Sequence, residues 1–237
     1  MTPATNHGAA PANRLLAALP KKEYQRLGPQ LKTVSLEFGK VLYEPGDIIR
    51  RVYFPNDSII SLLSAVAARS TLEVGIVGNE GVAGLGVFMG VNTSRTVALV
   101  QGAGSAMSMT AASFRKEANR LGTMHRLLHR YTHSLMTQIS QSSACNRFHN
   151  VDARLARWLL MSSDRMGSGE FRLTQDFMSN MLGVRREGVN QAAGELQKHK
   201  LIGYSRGMLK ILDRPGLEAV SCQCYGIIKA ECDSYLN

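Results

Sequence analysis

Residues 173–213 read LTQDFMSNMLGVRREGVNQAAGELQKHKLIGYSRGMLKILD, and their pattern decides the architecture. Thr174 is a good helix N-cap, because a hydroxyl there can accept a bond from one of the orphan N–H groups of the first turn. Phe177, Met178, Met181 and Leu182 supply the apolar side of a short helix, and Gly183 supplies a tight turn. From Arg185 to His199 the spacing predicts a second helix. At about 100° per residue, Val189, Ala192, Ala193 and Leu196 gather on one face. Glu187, Asn190, Gln191 and Gly194 lie opposite, with Arg186 at the flank. Two short strands follow, joined at Arg206-Gly207. Helix, glycine turn, helix and hairpin make a winged helix-turn-helix.

The polar arc carries the side chains that read base edges. Arginine can donate a fork to guanine, asparagine and glutamine pair with adenine, and glutamate accepts from cytosine. Arg186, Glu187, Asn190 and Gln191 are therefore candidate base-reading residues. The bland alternative is a solvated face on an ordinary helical hairpin, and the short helix before it and the wing after it weigh against that.

Outward from this stretch, residues 13–19 and 23–31 carry apolar side chains at helical spacing around Pro20. From Thr33 to Thr110 the pattern alternates instead. Val34, Leu36 and Phe38, then Val41 and Tyr43, Val52 and Phe54, Leu72, Val74 and Ile76, and Val97 and Leu99 read as short strands. Pro45-Gly46, Pro55-Asn56-Asp57, Gly78-Asn79, Gly102 and Gly104 punctuate them, as in an antiparallel roll, sandwich or barrel. Residues 123–146 run without Pro or Gly. Met124, Leu128, Tyr131 and Leu135, continued by Gln138, Ser142 and Cys145, recur at four-and-three spacing. That is the seam of a two-stranded coiled coil, so a dimer is expected. A second register through Leu121, His125, Leu128, Thr132, Leu135 and Ile139 is nearly as good, and one amphipathic helix packed on its own β-domain is the plainer reading.

The 237 residues suit one large domain or two modest ones. Hydrophobic residues are 44% and charged residues 19%, which excludes a disordered or collagen-like chain. No apolar run reaches 18 residues, the first dozen residues lack a secretory layout, and four cysteines are too few for a disulfide scaffold. A cytoplasmic protein with no membrane partner is expected. The formal charge of +10 makes an anionic partner worth considering. Most of the excess lies in residues 111–157, which hold 8 basic against 2 acidic side chains. No Gly-x-Ser-x-Gly elbow, His-Glu-x-x-His helix or Walker loop is present, and scattered carboxylates form no acid–base pair, so no catalytic residues are assigned.

The order LLAAL…EYQRLGPQL, VLYEPGD…VYFPNDSIISLL, a long central helix and the helix-turn-helix resembles the Crp/Fnr superfamily of bacterial transcription regulators, from Asn13 to about Gly216. The resemblance implies an α+β fold: an N-terminal double-stranded β-roll like cyclic-nucleotide-binding domains, a long dimerisation helix and a C-terminal winged helix-turn-helix. The expected divisions are a disordered lead at 1–12, a roll with flanking helices at 13–120, a dimerisation helix at 121–149, and a DNA-binding domain with a tail at 150–237. It also implies a homodimer on near-palindromic double-stranded DNA, with RNA polymerase as a further partner. Arg186 and Glu187 fall on the base-reading pair, and the third position, often arginine in relatives, is Gln191. Thr174, Gln175 and Arg185 fall on phosphate contacts, and Arg206 at the wing tip is grouped with them.

In relatives a Gly-Glu pair opens a cyclic-nucleotide cassette and Arg-Ser/Thr closes it. Arg95-Thr96 can be placed on the closing pair, but Gly84-Leu85 stands where Gly-Glu should be. Leucine cannot accept from a ribose hydroxyl, so ordinary cyclic-AMP binding is not expected. These four residues remain the candidate effector pocket for an unidentified small molecule, with no cofactor assigned. His125, His129 and His133 recur every four residues, a spacing that could hold a metal or haem, yet no cysteine or carboxylate is placed to complete a site. Cys145 and His149 are four apart, and Cys222, Cys224 and Cys232 crowd the tail. No metal site is assigned. The alternatives are a metal-, haem- or thiol-dependent regulator, or a ligand-binding module acting through protein contacts.

Overall fold

The computed structural model describes residues 11–67 and 70–236. Most of the lead expected at 1–12 lies outside the described residues. Buried Asn13 makes three contacts near the start of the described residues. Its Oδ1 accepts from Leu16 N at 3.1 Å, capping α1 (Arg14–Ala17). Its Nδ2 donates to the carbonyls of Pro55 (2.8 Å) and Gly81 (3.0 Å), tying the start of the chain to the roll. Helix α2 (Lys21–Leu27) follows Pro20.

Seven strands make two antiparallel sheets: β1 (Lys32–Leu36), β2 (Val41–Tyr43), β3 (Arg51–Pro55), β4 (Ile59–Ala67), β5 (Ser70–Val77), β6 (Val97–Gly102) and β7 (Gly104–Thr110). One sheet has the order β1-β7-β3 and the other β2-β6-β4-β5. Leu36, Val52, Phe54, Ile60, Val77, Ala98, Val100 and Met109 fill the core of the roll, and Phe114 of α3 (Ala111–Ala118) meets Phe54 edge-on at 5.9 Å. The expected β-roll is present.

The larger sheet is buried on both faces. Ile60 and Val77 point into the roll, while their neighbours Ile59, Leu63 and Ile76 join a second core built with the C-terminal helices. That explains the near-continuous apolar run at residues 59–63, since a strand covered on both faces has no polar side. Plain alternation fails on β5. Ile60 pairs with Val77 and Leu62 with Gly75, but Leu63 pairs with Glu73, so a bulge at Val74 shifts the parity. Glu73 becomes the buried residue, and Leu72 and Val74, expected to share a face with Ile76, are only half-buried.

Helix α4 (Thr123–Phe148) starts under Glu23, whose carboxylate accepts from the backbone N–H groups of Thr123 (3.1 Å) and Met124 (3.2 Å) and is held below the usual carboxylate range; burial works against this lowering. The seven residues of the first seam, Met124 to Cys145, are all buried, but by their own chain. Leu135 and Gln138 lie against Gly75 of β5, and Tyr131 lies against Gly81. The dimer seam assigned to Met124, Leu128, Tyr131 and Leu135 is therefore corrected. Heptad spacing shows that one strip is covered, not what covers it.

After α4 come α5 (Val151–Met166), β8 (Glu170–Arg172), α6 (Gln175–Leu182), α7 (Arg186–Lys198), β9 (Ile202–Ser205), β10 (Met208–Ile211), α8 (Arg214–Val220) and α9 (Cys224–Ser234). The wing has three strands, β8-β10-β9, where the sequence pattern predicts two. Helix α9 returns along α4. His133 Nδ1 meets Glu231 at 2.9 Å, Arg130 donates to the carbonyl of Ser234 at 2.8 Å, and the tilted rings of Tyr131 and Tyr235 meet at 5.7 Å.

Candidate nucleic-acid interface

Thr174 caps α6 as expected, its Oγ1 accepting from Phe177 N at 3.1 Å. Helix α6 ends at Gly183 with φ +61, a left-handed conformation that favours glycine. Three residues later α7 begins, and its amphipathic division is clean. Val189, Ala192, Ala193 and Leu196 are buried against α5 and α6, whereas Arg185, Arg186, Glu187, Asn190, Gln191 and Gly194 are exposed.

The exposed side chains are partly arranged already. Gln175 Nε2 donates to Asn190 Oδ1 at 2.8 Å, and Arg186 Nε lies 3.4 Å from Gln175 Oε1 and 3.5 Å from Asp176. Both partners of the Arg186–Asp176 pair are mostly solvent-accessible, so releasing Arg186 costs little. The wing turns at Arg206 (φ +51) and Gly207 (φ +77), the two-residue hairpin in which both central residues are left-handed. Arg206 thus stands exposed at the tip. Thr174 is exposed and Gln175 half-buried beside it, completing the set predicted for phosphates.

The four effector positions differ in their surroundings. Leu85 belongs to the roll core, Gly84 has φ +95 and is packed against Val52, and Arg95 is on the surface with Thr96 half-buried beyond it. Between the roll and helices α4 and α5, the places where glycines leave room are filled. Tyr131 covers Gly81, Arg165 covers Gly78, and Leu135, Gln138 and Ile139 cover Gly75.

The histidine row divides. His125 and His129 bond to each other at 3.0 Å, with Phe88 edge-on to both, while His133 turns to Glu231. Instead, the residues that converge are Cys145, His149, Cys222 and Cys224. Hydrogen bonding from Cys145, reinforced by the nearby Arg157 charge, lowers the Cys222 thiol although its burial opposes this. The i, i+4 spacing of the first two was visible in sequence, but their closeness to the Cys-x-Cys pair of the tail was not.

Buried polar contacts fasten α5 to the roll. Trp158 Nε1 donates to Glu73 at 2.8 Å, Gln101 Nε2 to Ser162 at 3.0 Å, and Arg165 pairs with Glu80 at 2.9 Å. Phe177 of α6 meets Phe38 at 5.1 Å. The helix-turn-helix is thus docked on its own roll with the polar face of α7 left free.

A winged helix-turn-helix with an exposed polar face is thus joined to a β-roll by a long helix. Residues 153–220 match the Crp-like helix-turn-helix domain family. No curated protein matches the sequence. In fold the chain is similar to FixK2 from Bradyrhizobium japonicum (TM-score 0.68, 16% identity, covering 81% of this chain and 98% of that one). It is similar also to TTHB099, a CRP-family transcriptional regulator from Thermus thermophilus (0.65, 17%, 79% and 96%). A third likeness is CLP, the c-di-GMP-responsive global regulator of Xanthomonas campestris (0.62, 14%, 81% and 99%). These likenesses show the fold, and the Crp-like domain occupies residues 153–220 of it. Among the described residues no helix is long and apolar enough to cross a membrane.

Proposed function

We propose that the chain is a homodimeric, sequence-specific DNA-binding regulator of transcription, working in the cytoplasm and in contact with RNA polymerase. The roll, residues 13–120, orients the DNA-binding part, residues 150–237, through the long helix between them. The observation that carries this reading is the exposed arc of Arg186, Glu187, Asn190 and Gln191 on a helix whose other face is fully buried. Arg186 and Glu187 read base edges first, with Asn190 and Gln191 deeper along the helix. Thr174, Gln175, Arg185 and Arg206 set the register on phosphates. Two copies related by a two-fold axis would read half-sites one helical turn apart.

Because the buried strip of α4 is covered by its own chain, the second copy meets the opposite strip. That strip runs through His129, Met136, Ser140 and Ser143, all exposed and again at heptad-like intervals. The roll acts by holding the helix-turn-helix in one orientation through Glu73–Trp158, Glu80–Arg165 and Phe38–Phe177. A signal that binds two orientations unequally would shift the DNA affinity.

Selection of bound duplexes from a random pool tests the proposal. The expected result is a near-palindromic consensus, with binding that weakens steeply as salt rises because phosphate contacts release counterions. Recovery of no consensus, or salt-independent binding, would overturn it.

A further inference from the structure

Cys145 and His149 occupy the end of α4, and Cys222 and Cys224 flank the start of α9. Four potential ligand atoms, three Sγ and one imidazole nitrogen, lie within 4.8 Å of one another. The Cys145 and Cys222 sulfurs are 3.4 Å apart, and Cys224 Sγ is 3.5 Å from His149 Nδ1. The cysteines are buried and the histidine is half-buried. We propose that these four residues form a closed tetrahedral site for a thiophilic divalent cation, zinc in the first instance, which staples the C-terminal helix to the end of the long helix.

The dimensions favour one metal ion. Around zinc with metal–sulfur bonds of about 2.3 Å, the edges of a tetrahedron are roughly 3.7 Å, close to the separations found. An iron–sulfur cluster needs its cysteines spread around several irons. A simple Cys145–Cys222 disulfide would leave Cys224 and His149 with no reason to converge. Three soft thiolates and an imidazole in a tetrahedron are the donor set that zinc takes in structural sites, where all four positions belong to the protein.

The surroundings suit the charge. Three thiolates and a neutral imidazole around a divalent ion leave one net negative charge in a buried place. Arg157 acts electrostatically on both Cys145 and Cys222, and Arg154 interacts with the same two sulfurs. Both arginines are buried, and the Nε of each lacks a hydrogen-bond partner. Buried guanidinium charge is costly, and a negative metal–thiolate centre offsets it. Gln141 Nε2 already points at Cys224 Sγ from 3.1 Å, the supporting hydrogen bond that orients a thiolate ligand.

The position gives the metal a consequence. His149 ends α4, and Asn150, the next residue, caps α5, so the site sits at the joint between the long helix and the DNA-binding part. Binding ties α8 and α9 to that joint and keeps α9 along α4.

The test uses the full chain purified under reducing conditions, loaded with zinc and desalted. We expect close to one zinc per chain, at least a tenfold loss in the Cys222→Ser/Cys224→Ser double variant, and retention in Cys232→Ser, a cysteine outside the cluster. Cobalt added to the wild type should give the intense visible bands of a tetrahedral thiolate complex, so the answer does not depend on the variant folding. Wild-type protein that keeps no more zinc than the double variant, or gives no such cobalt bands, overturns the proposal. So does an iron–sulfur chromophore on the same cysteines, or a Cys145–Cys222 disulfide that persists under reductant.

Discussion

Trp158 donates its indole N–H to the Glu73 carboxyl at 2.8 Å, joining the DNA-binding part to the roll through a buried acid. Burial raises the Glu73 carboxyl from 4.5 to about 7, while the indole bond and the Arg157 and Arg165 charges pull the other way. The folded state therefore keeps the proton that the unfolded state gives up near 4.5. Stability from this group is whole below that value and is lost as pH rises toward 7, on the order of 3 kcal/mol. Glu73→Gln keeps an acceptor for Trp158 and cannot ionise. Urea midpoints measured at pH 5 and pH 8 should fall with pH in the wild type and much less in the variant. Equal pH dependence in both would remove Glu73 from this role.

The Glu80–Arg165 pair, 2.9 Å apart and almost wholly inaccessible, should behave as a buried ion pair. Replacing one partner leaves the other charged without its counterion. Arg165→Met should cost about 3–5 kcal/mol, and Glu80→Gln/Arg165→Met should recover most of it. A single variant within about 1 kcal/mol of wild type in denaturant unfolding would show that the pair does not bear on stability.

Gly183 combines a positive φ with close packing on the roll, since a Cβ there would lie 2.5 Å from Leu72 Cδ1. Gly183→Ala should cost about 1–2 kcal/mol from the backbone alone, with a further loss from displaced Leu72. Adding Leu72→Ala should relieve the contact but not the backbone strain. The double variant is thus expected to lose less than the sum of the two singles, a coupling that melting curves can read.

Dimer contact through the outer strip of α4 predicts a contrast between two residues on one helix. Met136 is 63% exposed, while Leu128 is fully buried within the chain. Met136→Glu should yield a folded monomer by sedimentation, whereas Leu128→Ala should lower stability by about 2–5 kcal/mol. A Met136→Glu protein that remains dimeric would place the two-fold contact elsewhere.

Much of this was legible in residue order because it rests on local rules. Thr174, Gly183 and Arg206-Gly207 mark a cap, a left-handed helix end and a hairpin tip, and each does so in the structure. The alternation of Val52 with Phe54 places strand β3 because its two faces differ, as in any half-buried strand. What was not legible depends on partners distant in the chain. The bulge at Val74 is set by pairing with β4 and turns Glu73 inward. The strip from Met124 to Cys145 is periodic whether a roll or a second helix covers it. Strand β8 is three residues long and gains its identity only from β10. Cys145 and Cys222 are 77 positions apart, and no spacing rule joins them.

Reading and anchoring residues should separate in their effect on DNA. Arg186 enters at the flank of the exposed arc, where its fork can meet a guanine edge once it leaves Asp176. Arg186→Ala should cost about 1–3 kcal/mol on the preferred site and relax selection at one base pair, with affinity for other sequences little changed. Arg206, at the tip of the wing, has a backbone conformation that commits it to the turn and a charge suited to phosphate. Arg206→Ala should weaken binding to all sequences alike and lower the slope of log affinity against log salt by about one. Binding isotherms for both variants on the selected duplex and a scrambled one, across a range of salt concentrations, measure the two effects independently. If Arg186→Ala weakened every sequence equally while Arg206→Ala changed the consensus, the roles of helix and wing would have to be exchanged.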